Sequence, residues 1–177
     1  MVKIDPPSLA DNTTDFDRLK RDLRLQHGIE NITTTLPVLQ RLACALRDAN
    51  WVVTAVLEMG TWVDENAVPR LVDLLPGDRA TRIFGVAVDI GTTSNVVYLV
   101  DLESGTVLDT AIEYNGQIAC GEDIISRIIY AKREGGLEHL QRLVVQTINK
   151  LLDELAQRNE IETSNIYFMT VAGNTTM

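Results

Sequence analysis

The six residues Asp89-Ile90-Gly91-Thr92-Thr93-Ser94 set one carboxylate, one glycine and three hydroxyls between two apolar runs. Two uses fit that spacing. Holding a polyphosphate takes several backbone N–H groups gathered into one concavity by a tight turn. Gly91 permits such a turn and leaves no side chain to collide with a phosphate, while Thr92, Thr93 and Ser94 add hydroxyl donors. Asp89 repels a phosphate directly, but a magnesium ion held through water can bridge it to phosphate oxygens. The other use is a plain hairpin, in which Gly91 shapes the turn, Asp89 caps it and the hydroxyls face water. A second polar tip weighs toward the first. Asn174, Thr175 and Thr176 follow an apolar run over 166–173. If that run lies beside the first strand and parallel to it, both tips leave one edge of the sheet, at the strand ends where ligands gather. The expected cofactor-binding set is therefore Asp89, Gly91, Thr92, Thr93, Ser94, Asn174 and Thr175, with Asp89 turned to magnesium. On this reading a valine at position 91 blocks phosphate approach and leaves the fold largely intact.

The elements that must position this loop fall in a unit over 83–177. Runs over 83–88, 94–102 and 106–114 read as three antiparallel strands, with Glu103-Ser104-Gly105 as the second turn. A helix follows from Gly121-Glu122-Asp123, with acids in its first turn, Lys132 and Arg133 in its last, and two glycines beyond. The pairs Ile124/Ile128 and Ile125/Ile129 predict a wide apolar face. A longer helix carries Leu140, Val144, Ile148, Leu151 and Leu155 at helical spacing, and 166–173 reads as a buried strand returning through a crossover. The order is β-β-β-α-α-β in a mixed sheet.

Ahead of this unit, 1–82 reads as a small α/β module, joined at a seam of turn residues and charge over 76–83. Two prolines keep 5–9 extended. Asn12, Thr13 and Thr14 offer caps to a helix marked by Phe16, Leu19 and Leu23. Residues 32–34 predict a short strand. Pro37 opens a second helix whose stripe is Leu39, Leu42, Ala43 and Leu46, and 51–58 is a strand that turns out at Met59-Gly60-Thr61. At the other end, an apolar strand running straight into Gly173-Asn174-Thr175-Thr176-Met177 reads as a truncated chain.

Composition narrows the function classes. The net charge of −9 over 177 residues argues against nucleic acid or an anionic membrane as a partner. Any polyphosphate must therefore be held by local dipoles and a cation. No run is long enough to span a bilayer, and the N-terminus is too polar for a secretory signal. Two distant cysteines, Cys44 and Cys120, suit a reducing cytoplasm and exclude a disulfide framework or a cysteine-held metal cluster.

The remaining motifs have ordinary readings beside functional ones. Asn115-Gly116-Gln117 is a turn that can also line a cleft. Glu122 and Asp123 suit a helix start better than a general-base pair. Trp51 and Trp62 suit packing. Cys120, near a helix N-terminus, is read as inert, and His27 and His139 as solvated helix residues.

Residues 83–177 resemble the first half of the actin-like ATPase superfamily, which includes sugar kinases, Hsp70 chaperones and actin; Asp89 to Ser94 match its first phosphate loop. More specifically, VAVDIGTTS (86–94), GEDIISRI (121–128) and VAGNTTM (171–177) resemble the reductive activators of corrinoid proteins. The segment PPSL-D (6–11) with DFDRL (15–19) resembles the start of that family's middle domain. The resemblance implies a ribonuclease-H-like, actin-like ATPase half-domain after a small α/β middle domain. It implies ATP with magnesium, a [2Fe–2S] cluster in an N-terminal domain that this chain lacks, a corrinoid protein as partner and a homodimer. The implied activity is ATP-driven transfer of one electron that returns Co(II) corrinoid to Co(I) for methyl transfer. Only the phosphate loop, Asp89 and Gly91 to Ser94, carries over. The second phosphate loop and adenosine site are missing, so the expected fragment is inactive alone. The alternatives are a sugar kinase and an actin- or Hsp70-like interaction module; the catalytic base is not identified.

Overall fold

A computed structural model of the chain describes residues 1–60, 67–79 and 83–174, and it divides into two compact units, Met1–Ala80 and Thr81–Met177. In the first, Thr14 caps helix α1 (Asp15–His27) by accepting from the Asp17 N–H, and Gly28, at φ 69°, closes it with its N–H on Arg24. Strand β1 (Val2–Lys3) precedes α1. Then come β2 (Thr33–Thr34), α2 (Leu36–Asp48), β3 (Val52–Glu58) and β4 (Arg70–Pro76). The sheet runs β1-β3-β4-β2, antiparallel except for the parallel β2–β4 pair. Leu19 and Leu23 of α1 and Val38, Leu42 and Leu46 of α2 bury against Val2, Val53 and Leu71 of the sheet.

Three features depart from the sequence reading. Strand β4 was not anticipated, because RLVDLLP carries Asp73 in its middle and no clean alternation. The buried stripe of α2 begins at Val38, while Leu39 is 40% exposed and Ala43 also faces outward. The third is Arg18, which lies wholly inside this unit. Its guanidinium pairs with Asp11 and donates to the carbonyls of Asp5 (3.2 Å), Asp11 (3.1 Å) and Thr13 (3.3 Å). The extended, proline-rich segment therefore wraps around one buried cation, and an arginine among helix-stripe residues does not announce that. Trp51 packs at the core's edge under the Arg47 guanidinium; Trp62 and the turn at Thr61 lie outside the described residues.

The second unit holds β5 (Phe84–Ile90), β6 (Ser94–Asp101), β7 (Val107–Tyr114), α3 (Ile124–Ala131), α4 (Gly136–Arg158) and β8 (Ile166–Gly173). A short 3-10 helix, Gly116–Cys120, follows β7. The sheet order is β7-β6-β5-β8, with β5, β6 and β7 antiparallel and β8 parallel to β5. Alternation sends Phe84, Val86 and Val88 to one face, where they meet Val97, Leu99 and Ala111 and the α4 residues Leu151 and Leu155. Asp101 accepts from the Glu103 N–H (2.8 Å), and Gly105 completes that turn at φ 72°.

Two burial expectations fail here. Strand β8 lies at the sheet edge, with Phe168, Met169 and Val171 each more than 40% exposed, because α4 covers the centre of the sheet. On α3, Ile125 is 72% and Ile129 58% exposed, and the helix's buried residue is Arg127. Asp123 is the N-cap of α3 rather than part of its first turn; its carboxylate accepts from Ser126 N (2.7 Å), which holds it below the usual carboxylate range.

Candidate functional site

Strand β5 continues one pair beyond the expected end, so Asp89 and Ile90 belong to it and the turn is Gly91 to Ser94. The Gly91 N–H donates to the Ser94 carbonyl at 2.9 Å. A Cβ built on Gly91 would stand 2.5 Å from that same oxygen, so glycine is required by the hairpin's own closure. This corrects the expectation that valine there leaves the fold intact. Asp89 is exposed and, by alternation with Val88 and Ile90, points to the sheet face opposite α4. It pairs with Val96 on one side and Ala172 on the other.

Strand β8 ends level with β5, Ile90 opposite Gly173, and runs parallel to it. Gly91 and Asn174 therefore leave the same edge of the sheet from adjacent strands. Thr175 and Thr176 lie outside the described residues. Thr92 and Ser94 are half-buried and Thr93 is exposed.

The loop is held from behind through three successive carbonyls. Asn115 Nδ2 donates to Gly91 O (2.8 Å), Arg127 Nη2 to Thr92 O (2.5 Å), and the Asn115 backbone N–H to Thr93 O (2.9 Å). In a trans peptide the N–H points away from the C=O. Anchoring these carbonyls thus turns the N–H groups of Thr92, Thr93 and Ser94 away from their anchors. Gln117 ties the anchors together: its Oε1 accepts from Arg127 Nη1 and Asn115 Nδ2, each at 3.3 Å, and its Nε2 donates to Leu140 O on α4 (3.1 Å). Arg127 Nε also holds Gly121 O (2.9 Å). Burial lowers the Arg127 pKa from its ordinary value, and the Asp123 carboxylate opposes that shift.

Sequence reasoning treated Asn115 and Gln117 as turn residues and passed over Arg127. The available signal was a single arginine inside a run of four isoleucines, IISRII, on a helix following the loop. Between α3, α4 and the 3-10 helix a cavity of about 360 Å³ is lined by Gln117, Arg127, Ile128, Leu137, Leu140 and Val144. It backs the anchor network and does not open at the loop residues. Among the described residues no cluster of three or more histidine, cysteine or acidic side chains could hold a metal ion, and no helix is long and apolar enough to cross a membrane.

Comparison with known proteins follows these units. A family model described as the RACo linker region matches residues 1–81, and one described as the RACo middle region matches 84–177. The name "middle" thus falls on the unit that carries the loop, whereas the sequence reading gave it to the first. The chain is 39% identical over 111 residues to the corrinoid activation enzyme RamQ of Eubacterium limosum, covering 61% of this chain and 18% of that enzyme. It is similar to a solved structure of a reductive activator for corrinoid, iron–sulfur protein, with a TM-score of 0.78 and 38% identity. That match covers 99% of this chain and 27% of the other, so the chain spans about a quarter of that relative and less of RamQ. With one family's models matching both units in order, and the fold shared with a solved member across nearly every residue, the chain belongs to the reductive activators of corrinoid proteins.

Proposed function

We propose that this chain supplies one wall of the nucleotide site of an ATP-dependent activator that returns a Co(II) corrinoid protein to Co(I). The observation that carries the reading is the Gly91–Ser94 hairpin, whose three carbonyls are anchored from behind at the shared carboxyl edge of β5 and β8, which turns the N–H groups of the same peptides away from those anchors. Three antiparallel strands followed by a parallel crossover strand support an actin-like ATPase half-domain. The names of the matched relatives support a corrinoid protein as partner. They favour this reading over a sugar kinase or a pure interaction module.

The residues fit a magnesium nucleotide. The amides of Thr92, Thr93 and Ser94 and the three hydroxyls would meet phosphate oxygens, with Asn174 beside them at the next strand end. Asp89, exposed on the same edge, would hold the magnesium through water. Bound magnesium would neutralise phosphate charge that the acidic protein otherwise repels. The buried Arg127 holds the loop's shape and leaves phosphate contact to the amides. An iron–sulfur cluster takes four ligands, and the chain has two cysteines, one in each unit, so these residues do not hold the electron carrier.

The test uses the full-length activator. Asp89→Asn is expected to raise the magnesium concentration needed for ATP hydrolysis and to slow ATP-dependent corrinoid reduction, read from the Co(II) absorption. Equal magnesium dependence in both proteins would remove Asp89 and its loop from the site. The chain 1–177 alone is expected to bind a magnesium–ATP analogue at millimolar strength or weaker. Its few charge-assisted hydrogen bonds, about 1.5–3 kcal/mol each, do not outweigh the entropic cost of association. A micromolar constant by calorimetry would mean that this wall suffices by itself.

A further inference from the structure

Behind the anchor network, the cavity of about 360 Å³ between α3, α4 and the 3-10 helix has a chemistry of its own. Its inner end is polar and out of water: Gln117 and Arg127, each 4% exposed, line it beside the buried Leu140. Ala131 of α3 and Val144 of α4, both half-buried, line it further out. Ile128 and Leu137 are exposed where it opens to solvent. A pocket of this size, apolar with a few convergent polar groups, suits a small molecule.

Size and charge select the occupant. A dry cavity of roughly 150 Å³ is enough for benzene, so this one has room for a ring and a short chain. Arg127 is the cation in its lining, and no carboxylate lines it among the described residues. Asp123, the carboxylate that acts on Arg127, caps α3 and is not part of the lining. Burial disfavours the guanidinium charge, and an anion brought against it would offset that cost. One acceptor on Arg127 can be exchanged for such an anion. The Nη1 bond to Gln117 Oε1 is long, 3.3 Å, and its acceptor is neutral. A carboxylate oxygen in that place accepts a charge-assisted bond, roughly twice as strong. Gln117 is not stranded by the exchange, because Oε1 keeps Asn115 Nδ2 and Nε2 keeps Leu140 O. Arg127 keeps Thr92 O and Gly121 O, so the loop stays anchored.

We propose that this cavity is a binding site for a small apolar monocarboxylic acid, with its carboxylate on Arg127 and its hydrocarbon body among Ala131, Leu140 and Val144. A neutral molecule of the same shape fills the apolar part but adds no charge at Arg127, and a cation is repelled there. A second carboxylate would be buried against apolar walls, which is costly. The site shares Arg127 with the hairpin but uses no nucleotide, so it stands apart from the ATP reading.

Calorimetric titration of the full-length activator, without nucleotide, uses three probes of one shape: phenylbutyrate, its neutral amide and the cationic phenylbutylamine. Phenylbutyrate is expected to bind with a dissociation constant on the order of 0.1–1 mM, as suits about a dozen heavy atoms. The amide should bind about tenfold more weakly, and the amine should give no binding heat. In isoleucine and valine methyl spectra the acid should shift Ile128 and Val144, which line the cavity. Ala131→Phe, which fills the cavity from α3, is expected to abolish binding of the acid. Absence of phenylbutyrate binding in the millimolar range overturns the proposal. So does equal binding of acid and amide, which would make the cavity merely apolar, and so does unchanged binding in a folded Ala131→Phe protein. If that variant does not fold, acid-induced methyl shifts in the parent that leave Ile128 and Val144 unmoved overturn it instead.

Discussion

Arg127 Nη2 lies 2.5 Å from the carbonyl oxygen of Thr92, across 35 residues of sequence, and joins helix α3 to the Gly91–Ser94 hairpin. The same guanidinium reaches Gly121 O and Gln117 Oε1, so three fixed donors satisfy three acceptors on two segments, the hairpin and the 3-10 helix with its cap. A planar fork suits that task, and a lysine ammonium at one point does not.

Arg127→Lys is therefore expected to lower the stability of the second unit by about 2 kcal/mol and to speed amide exchange of Gly91, whose N–H closes the hairpin on Ser94 O. Asn115→Ala, which removes the donor to Gly91 O, should do the same. Because Gln117 links both anchors, the double variant should lose less than the sum, with a coupling of roughly 0.5–3 kcal/mol. Strict additivity in a denaturation cycle would show that the anchors act separately.

Gly91→Ala places a methyl group where Ser94 O already stands, 2.5 Å away, and backbone cannot yield as a side-chain tip can. The expected cost is about 1–3 kcal/mol, with loss of the Gly91–Ser94 hydrogen bond in the amide spectrum. An alanine variant as stable as the parent would show that the hairpin opens freely.

Asn95 is fully buried on β6, just past the loop, and neither its amide nitrogen nor its amide oxygen has a hydrogen-bond partner among the described residues. Burying an unsatisfied amide costs about 1–3 kcal/mol, so Asn95→Leu, of similar shape, is expected to raise stability by up to that amount. A fall in stability on chemical denaturation would show that the amide is satisfied by bound water that leucine displaces.

Asp11 gives the first unit an acid-sensitive limb. Hydrogen bonds from Thr13, Arg21 and Arg18 hold its carboxyl far below the usual range. A depressed folded-state pKa contributes stability that is present above the unfolded value, about 3.9, and is lost as pH falls below it. Both tryptophans, Trp51 and Trp62, lie in the first unit, so fluorescence reports on that unit. The parent's denaturation midpoint should fall as pH drops below about 4, and Asp11→Asn should flatten that fall. The same steepness in both proteins would place the acid sensitivity elsewhere.

Local rules suffice for what is local. The Thr14 cap, the Glu103-Ser104-Gly105 turn and the first three strands of the second unit each depend on neighbours within a few residues, so propensity and pattern reveal them in the sequence. Strand β4 escaped because its sequence has no alternation of its own; pairing with β3 and β2 makes it a strand.

The sequence by itself determined that a Gly-hydroxyl turn preceded by an aspartate joins two strands, and that a third strand and two helices separate it from a fourth strand with a polar tip. Tertiary structure alone decided that β8 lies parallel to β5 with Gly173 opposite Ile90, which brings Asn174 to the edge the loop occupies. It alone decided that Arg127 faces inward while Ile125 and Ile129 face out. An isolated helix would bury its isoleucines first, since a buried guanidinium is costly without acceptors. Those acceptors, Thr92 O, Gly121 O and Gln117 Oε1, come from segments that meet only in the folded chain, and no spacing within α3 encodes them.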